Sequence, residues 1–171
     1  MVRSALAASL LALALLPASA LATPSGTTPT PTPMPTPAAE AVWATVNVCD
    51  TAKRPDTIGI RAAMPGVPRG AALFMRFQVQ YKAGGGWQQV KGTDSRWRPV
   101  GRGHGTPVES GWSFSFAQPA APVTLRGDVR FQWRRQGTVL ASAEAFTEAG
   151  HRSSAGADPA GYSAATCTLG G

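Results

Sequence analysis

Cys49 and Cys167, with His104 and His151, are the only thiols and imidazoles in the 171-residue chain, so they come first as candidates for chemistry. The cysteines lack C-x-x-C spacing and have no histidine nearby in sequence. A two-Cys, two-His zinc site would need ligand spacings that are absent. In an oxidising compartment two cysteines pair by default, and with two only one pairing exists. The loop closed by a Cys49–Cys167 bridge spans almost the whole folded part. The chain-entropy estimate for such a bridge is on the order of 4–5 kcal/mol.

Both histidines sit in Gly/Ser-rich polar stretches. Ser153, His151 and Asp158 share one long loop, from about 148 to 161. As a nucleophile, base and acid they have neither a nucleophile elbow nor a rigid element to orient the base. Glu109, Asp94 and Asp128 are the carboxylates to weigh for paired acid–base work, but the nine acids of the chain carry no pattern. Asp128 and Glu144 are expected to face each other across a hairpin. They can be read as a cation site or, more simply, as neutralised by Arg126 and Arg130. No catalytic, cofactor or metal residues are assigned.

The positive charge is mostly arginine, with Lys53, Lys82 and Lys91 the exceptions, and the formal net charge is +7. Arg126, Arg130 and Arg134 recur every four residues, so on a strand they project from one outward face. Arg76 can join them from a neighbouring strand, and Trp87 or Trp97 can add stacking planes. Such a stripe is an anion-binding face for acidic glycans, cell-wall polymers or nucleic acid, or a solvated face that also discourages edge pairing. The solvated face is the simpler reading. No RRM, KH or Gly-rich phosphate-loop pattern occurs, and the Arg, Ala and Gly excess also follows from GC-rich coding. Nucleic acid is therefore not the expected partner.

These residues must be positioned by strands. Val42, Ala44, Val46 and Val48 alternate with polar or small neighbours, as do Ile58, Ile60, Ala62 and Met64. The same holds for Leu73, Met75, Phe77, Val79 and Tyr81, for Trp112, Phe114 and Phe116, and for Val123, Leu125, Val129, Phe131 and Trp133. Period two over runs punctuated by Gly and Pro is the pattern of antiparallel strands with one face in a core. It predicts an all-β protein of seven to nine antiparallel strands, a sandwich or a barrel. The expected core is Trp133, Phe131, Phe77, Met75, Phe114, Leu125, Ile58 and Ile60. One hairpin can be registered: Trp133 opposite Val139 places Val139, Ala141 and Ala143 on the face of Val129, Phe131 and Trp133. A three-residue loop Arg135-Gln136-Gly137 then joins the strands.

Ahead of the domain, Met1 to Ala22 reads as a secretory signal peptide. Arg3 supplies the positive start, and an apolar run from Ala5 to Leu16 is broken by Pro17. Small residues then allow cleavage after Ala20 or Ala22. Residues 23–40 alternate Thr and Pro and favour an extended linker, a spacer open to O-glycosylation. The domain occupies 41–169. Hydrophobic residues make up 43% and charged residues 15% of the chain. That balance excludes a coiled coil and a multi-span membrane protein.

Trp43-Ala44-Thr45-Val46-Asn47-Val48-Cys49-Asp50 opens the domain, Ala149-Gly150-His151-Arg152-Ser153 follows late in it, and Asp158 to Cys167 closes it. Over about residues 43 to 169 the chain resembles a group of uncharacterised exported bacterial proteins with an immunoglobulin-like or fibronectin-III-like sandwich. The resemblance implies a single antiparallel β-sandwich of immunoglobulin-like type and secretion, with no activity and no site residues. Asp158-Pro159-Ala160-Gly161-Tyr162 is also similar to the Asp-x-Ala-x-Tyr corner of immunoglobulin domains, although Cys167 follows the tyrosine by five positions rather than two. The expectation is an exported, non-enzymatic module with a binding or structural role at or outside the cell surface and no cofactor. A carbohydrate or anionic cell-wall polymer binder, using Trp and Arg on a sheet face or in the 92–107 region, is the alternative. A secreted hydrolase comes third. Partners would be cell-wall or extracellular polysaccharide or protein.

Overall fold

The computed structural model describes residues 42–170. The expected signal peptide and linker lie outside the described residues. Nine strands follow in chain order: β1 (Trp43–Thr51), β2 (Arg54–Met64), β3 (Ala72–Ala83), β4 (Gly86–Asp94), β5 (Arg98–Arg102), β6 (Val108–Ser115), β7 (Val123–Arg135), β8 (Thr138–Phe146) and β9 (Cys167–Leu169). Strands β1-β2-β6 form the smaller sheet and β4-β3-β7-β8 the spine of the larger one. All strand pairs are antiparallel. The fold is the expected all-β sandwich.

The larger sheet is built on a β3–β7 pair. The far edge of β3 is shared by β5 along Ala72–Met75 and β4 along Gln78–Ala83. The far edge of β7 is shared by β9 along Val123–Leu125 and β8 along Asp128–Arg135. Strands β4 and β5 carry no apolar alternation because they are short or polar edge strands. Where they part, Ser95 Oγ accepts from Phe77 N at 2.8 Å and Thr93 Oγ1 from Val79 N at 3.2 Å, which explains why those two polar residues are buried.

The period-two residues meet between the sheets. Trp133, Phe131, Phe77, Met75, Ile58, Ile60 and Leu125 are buried as expected. Phe114, expected in the core, is only half-buried, because β6 is an edge of the smaller sheet. The indole N–H of Trp133 donates to Pro65 O at 2.9 Å, which satisfies its one polar atom inside the core. The apolar run of β7 has a gap at Gly127, and packing requires it. A Cβ there would lie 2.6 Å from Thr147 Cγ2 and 2.8 Å from Ile60 Cδ1.

The β7–β8 hairpin departs from the expected register. Trp133 opposes Ala141, Phe131 opposes Ala143 and Val129 opposes Ala145. The loop is the two-residue turn Gln136-Gly137, with φ of 48° and 83°. Positive φ at both positions belongs to a type I′ turn, whose twist matches that of the strands. A bulge leaves Leu140 as the extra residue, since Arg134 pairs with Val139 next to the Trp133–Ala141 pair. Val139 is thereby turned out of the core and is 45% exposed. The parity rule holds for the alanines, but it distinguishes neither a slip of two residues nor a bulge.

Residues 147–166 run as a strap along the outer edge of β1. Thr147 bridges Ala44, Ala164 bridges Val46, and Asp158 bridges Val48. Val46 and Ala164 exchange backbone bonds at 2.9 and 3.0 Å, and Asp158 N donates to Asn47 O at 2.9 Å. Thr45 and Asn47, which alternation would send to solvent, are buried under this strap. Cys49 and Cys167 are bonded, with Cα atoms 5.3 Å apart. The bridge joins β1 of the smaller sheet to β9 of the larger, so it is an inter-sheet tie.

Replacing Cys49 and Cys167 together by serine is expected to lower unfolding free energy by about 4–5 kcal/mol, read from urea titrations of oxidised wild type and variant. Phe131→Ala is expected to cost about 3–5 kcal/mol, and a loss below about 1 kcal/mol would contradict its fully buried position.

Candidate recognition face on the larger sheet

Even-numbered residues of β7 project away from the core, opposite Leu125, Val129, Phe131 and Trp133. Arg126, Arg130 and Arg134 do share the outward face, as the spacing predicts. Backbone pairing sets Gln80 opposite Arg126, Gln78 opposite Asp128, Arg76 opposite Arg130 and Phe74 opposite Gln132. On the other side Phe146 opposes Asp128, Glu144 opposes Arg130 and Ser142 opposes Gln132.

The stripe is woven into its neighbours. The Arg126 guanidinium lies 4.4 Å from the centre of the Trp87 ring and 3.9 Å from that of Phe146. Its Nε donates to Gln80 Oε1 at 2.9 Å. Burial lowers the Arg126 pKa from its ordinary value. Arg134 repeats the arrangement, 4.3 Å from the Phe74 ring centre and 5.2 Å from that of Trp97, with Nε donating to Gln132 Oε1 at 2.8 Å. The two tryptophans singled out from the sequence are therefore both on this face, each against an arginine. Phe74 and Phe146 complete the clamps, and sequence reasoning missed them. Phe74 sits among core residues in an apolar run, and Phe146 ends one, so neither stood out.

Arg130, between the clamps, is an ion-pair centre. Its Nε is 3.2 Å from Glu144 Oε1 and 4.0 Å from Asp128 Oδ1. Arg76, directly opposite and of like charge, is taken by Asp94 through two bonds of 2.8 and 2.6 Å. That pairing, aided by the Arg96 backbone N–H, holds Asp94 at about 2, below its ordinary 3.8. Asp128 behaves oppositely. It is 2% exposed, its Oδ2 accepts from Gln80 Nε2 at 3.3 Å, and its Oδ1 has no hydrogen-bond partner among the described residues. Burial first, and the nearby Glu144 second, raise its pKa to about 6. The expected pairing of Asp128 across from Glu144 shifts by two positions with the hairpin register, so the two carboxylates are diagonal neighbours. Beside this cluster, Trp97, Arg130, Gln132, Ser142 and Glu144 line an open groove of ≈ 550 Å³.

The other sequence candidates are engaged elsewhere. His151 stacks on Trp43 with centroids 4.1 Å apart and planes 8° apart, and its Nε2 is 3.2 Å from Glu148 Oε1. Asp158 accepts from Thr51 Oγ1 at 2.9 Å, and Ser153 is exposed on the strap. Thus His151 is oriented by Glu148 and not by Asp158. Asp158 and Tyr162, read as an immunoglobulin-like corner, belong to the strap that pairs with β1. Glu109 pairs with Arg61 at 3.5 Å on the smaller sheet, whereas Asp94 and Asp128 lie on strands of the larger one. His104 Nδ1 shares a 2.9 Å bond with Thr106 Oγ1. Among the described residues no group of three or more His, Cys, Asp or Glu gathers to hold a metal ion. No protein-family model matches the chain, and no curated protein or solved structure matches it either.

The two aspartates predict opposite pH behaviour. Asp94 has a native pKa of about 2 against an ordinary 3.8, so its contribution is present above pH 3.8 and lost as pH falls toward 2. Asp128 binds its proton more tightly in the native state, at about 6 against 3.8, so stability falls as pH rises through that window. Asp128→Asn is expected to stabilise the fold by about 1–3 kcal/mol at neutral pH, with the gain vanishing near pH 4. Equal urea midpoints for wild type and variant at pH 7 would contradict the buried, underbonded carboxylate.

Proposed function

We propose that the chain is an exported, non-enzymatic β-sandwich module that binds a partner at or outside the cell surface through the outer face of its larger sheet. The observation that carries this is the pair of clamps on β7. Arg126 and Arg134 each lie against two aromatic rings, so aromatic planes and guanidinium edges are fixed side by side on one surface. Arginine and aromatic side chains are enriched where proteins recognise partners, and contacts within the sheet already hold these arginines, which leaves them less rotamer freedom to lose. Export is supported by the N-terminal Arg3, apolar run and small-residue cleavage pattern in the sequence. The inter-sheet disulfide fits an oxidising compartment. Among the described residues no helix is long and apolar enough to cross a membrane. In this reading the chain takes its place beside the exported immunoglobulin-like proteins it resembles, and the Thr/Pro stretch acts as the spacer that presents the sandwich.

The test is retention of cell-envelope and culture-filtrate components on the immobilised exported chain. Arg126→Gln with Arg134→Gln is compared with a charge-matched control, Arg54→Gln with Arg152→Gln, after circular dichroism shows both folded. Binding is expected to weaken about tenfold in the face variant and to persist in the control. Equal losses in the two would make the effect one of net charge, and turnover of a retained polymer would overturn the non-enzymatic reading.

A further inference from the structure

We propose that the groove between Trp97 and strand β8 binds an uncharged saccharide, with Arg130, Gln132, Ser142 and Glu144 meeting its hydroxyls and Trp97 its apolar ring face. This rests on the reading of the sheet as a recognition face and names the ligand class for it.

The groove measures ≈ 550 Å³, within the range of about 300–1,000 Å³ common for small-ligand sites. Its polar groups are of mixed kind. Arg130 supplies guanidinium donors and Glu144 a carboxylate acceptor, and they stand 3.2 Å apart on adjacent strands. Gln132 has its Oε1 occupied by Arg134, so its amide NH2 is the part left to donate. Ser142, directly across from Gln132, is exposed and its hydroxyl can both donate and accept. Neighbouring hydroxyls on a sugar ring have this dual character, accepting from the guanidinium while donating to the carboxylate. Trp97 gives the groove an aromatic wall, steadied by Arg134 5.2 Å from its ring centre. A ring with polar edges and a C–H face is the ligand shape that uses both.

Charge balance selects the uncharged member of that class. The arginine that lines the groove is already paired with Glu144 and lies 4.0 Å from Asp128. An anion entering here would meet Glu144 and would have to compete with it for Arg130. A cation would meet Arg130 with Arg134 beside it. A neutral polyol keeps the Arg130–Glu144 pair intact and hydrogen-bonds to both members, which avoids the cost of separating a charge pair. The underbonded Asp128 beneath Arg130 adds a reason for Arg130 to stay where it is.

The experiment is a titration of the full exported chain, labelled with nitrogen-15, by cellohexaose, xylohexaose, maltohexaose and chitohexaose, and separately by heparin as a polyanion. At least one neutral hexasaccharide is expected to shift the Trp97 indole N–H and the Ser142 and Glu144 amides, with an affinity nearly unchanged between about 50 and about 500 mM salt. Trp97→Ala should weaken that binding about tenfold or more. Ser142→Trp, at an exposed position that leaves the core untouched, should block the groove to the same degree. Absence of shifts with all four saccharides overturns the proposal. So does binding that Ser142→Trp leaves unchanged, or binding confined to heparin and abolished by salt. If those outcomes occur while the envelope partner is still lost with Arg126→Gln and Arg134→Gln, the saccharide assignment fails and the recognition face stands. If the partner is not lost either, both fail.

Discussion

Strand β7 hydrogen-bonds to β3 along one edge and to β8 and β9 along the other, and nearly every other feature depends on its strict alternation. Inward it presents Leu125, Gly127, Val129, Phe131 and Trp133. All are buried, and Gly127 leaves room for Ile60 from across the sandwich and for Thr147 beside it, just past the end of β8. Outward it presents Arg126, Asp128, Arg130, Gln132 and Arg134, which engage β3, β4, β8 and the β4–β5 connection. A slip by one residue would drive three arginines into the core and expose the tryptophan. The apolar and charged faces therefore enforce one register from opposite sides.

The smaller sheet meets a different constraint. Among the described residues it has three strands, and β1 is one of its edges. The strap closes that edge through backbone bonds to Ala44, Val46 and Asn47, so β1 is covered on its flank as well as its inner face. Thr147 anchors the strap at its start, donating to Ala165 O at 2.6 Å and accepting from Gly127 N at 3.0 Å. At the far end Cys167 fixes β9 to β1. A long loop thus behaves as part of the sandwich, which accounts for the engagement of His151 and Asp158 in packing and capping.

Periodicity made the long strands legible because their two faces differ sharply. Val42 to Val48, Ile58 to Met64 and Leu73 to Val79 read directly as core strands. Strands β4 and β5 did not, since Gln88, Gln89, Lys91 and Arg98 leave no apolar face to detect. Strand β9 has three residues, too few for a period. The arginine stripe was legible as a direction but not as an environment. Nothing local in sequence brings Trp87 to Arg126 or Trp97 to Arg134, because those contacts run from the β4 region across β3 to β7. The hairpin shows the same limit. Parity placed Ala141 and Ala143 on the inner face, but the choice of a two-residue turn and a bulge at Leu140 depends on twist, which residue types alone do not encode.

The face also explains why its cations are arginines. Each clamped side chain performs two tasks at once, placing its guanidinium over aromatic rings while its Nε binds a glutamine oxygen, as Arg126 does with Gln80 and Arg134 with Gln132. A lysine ammonium has no plane to stack and a more tightly held hydration shell, so it would keep the charge and lose the clamp. Arg76 and Arg130, opposed across β3 and β7, would repel as bare charges. Asp94 holds Arg76 by a two-point bond, while Glu144 holds Arg130 from the opposite strand. The two like charges thereby have separate partners, and Arg130 is held where it lines the groove with Gln132 and Ser142. Part of the groove's lining is thus set by how the sheet resolves its own charge, since Arg130 and Glu144, which both line it, are the pair that neutralise each other across β7 and β8.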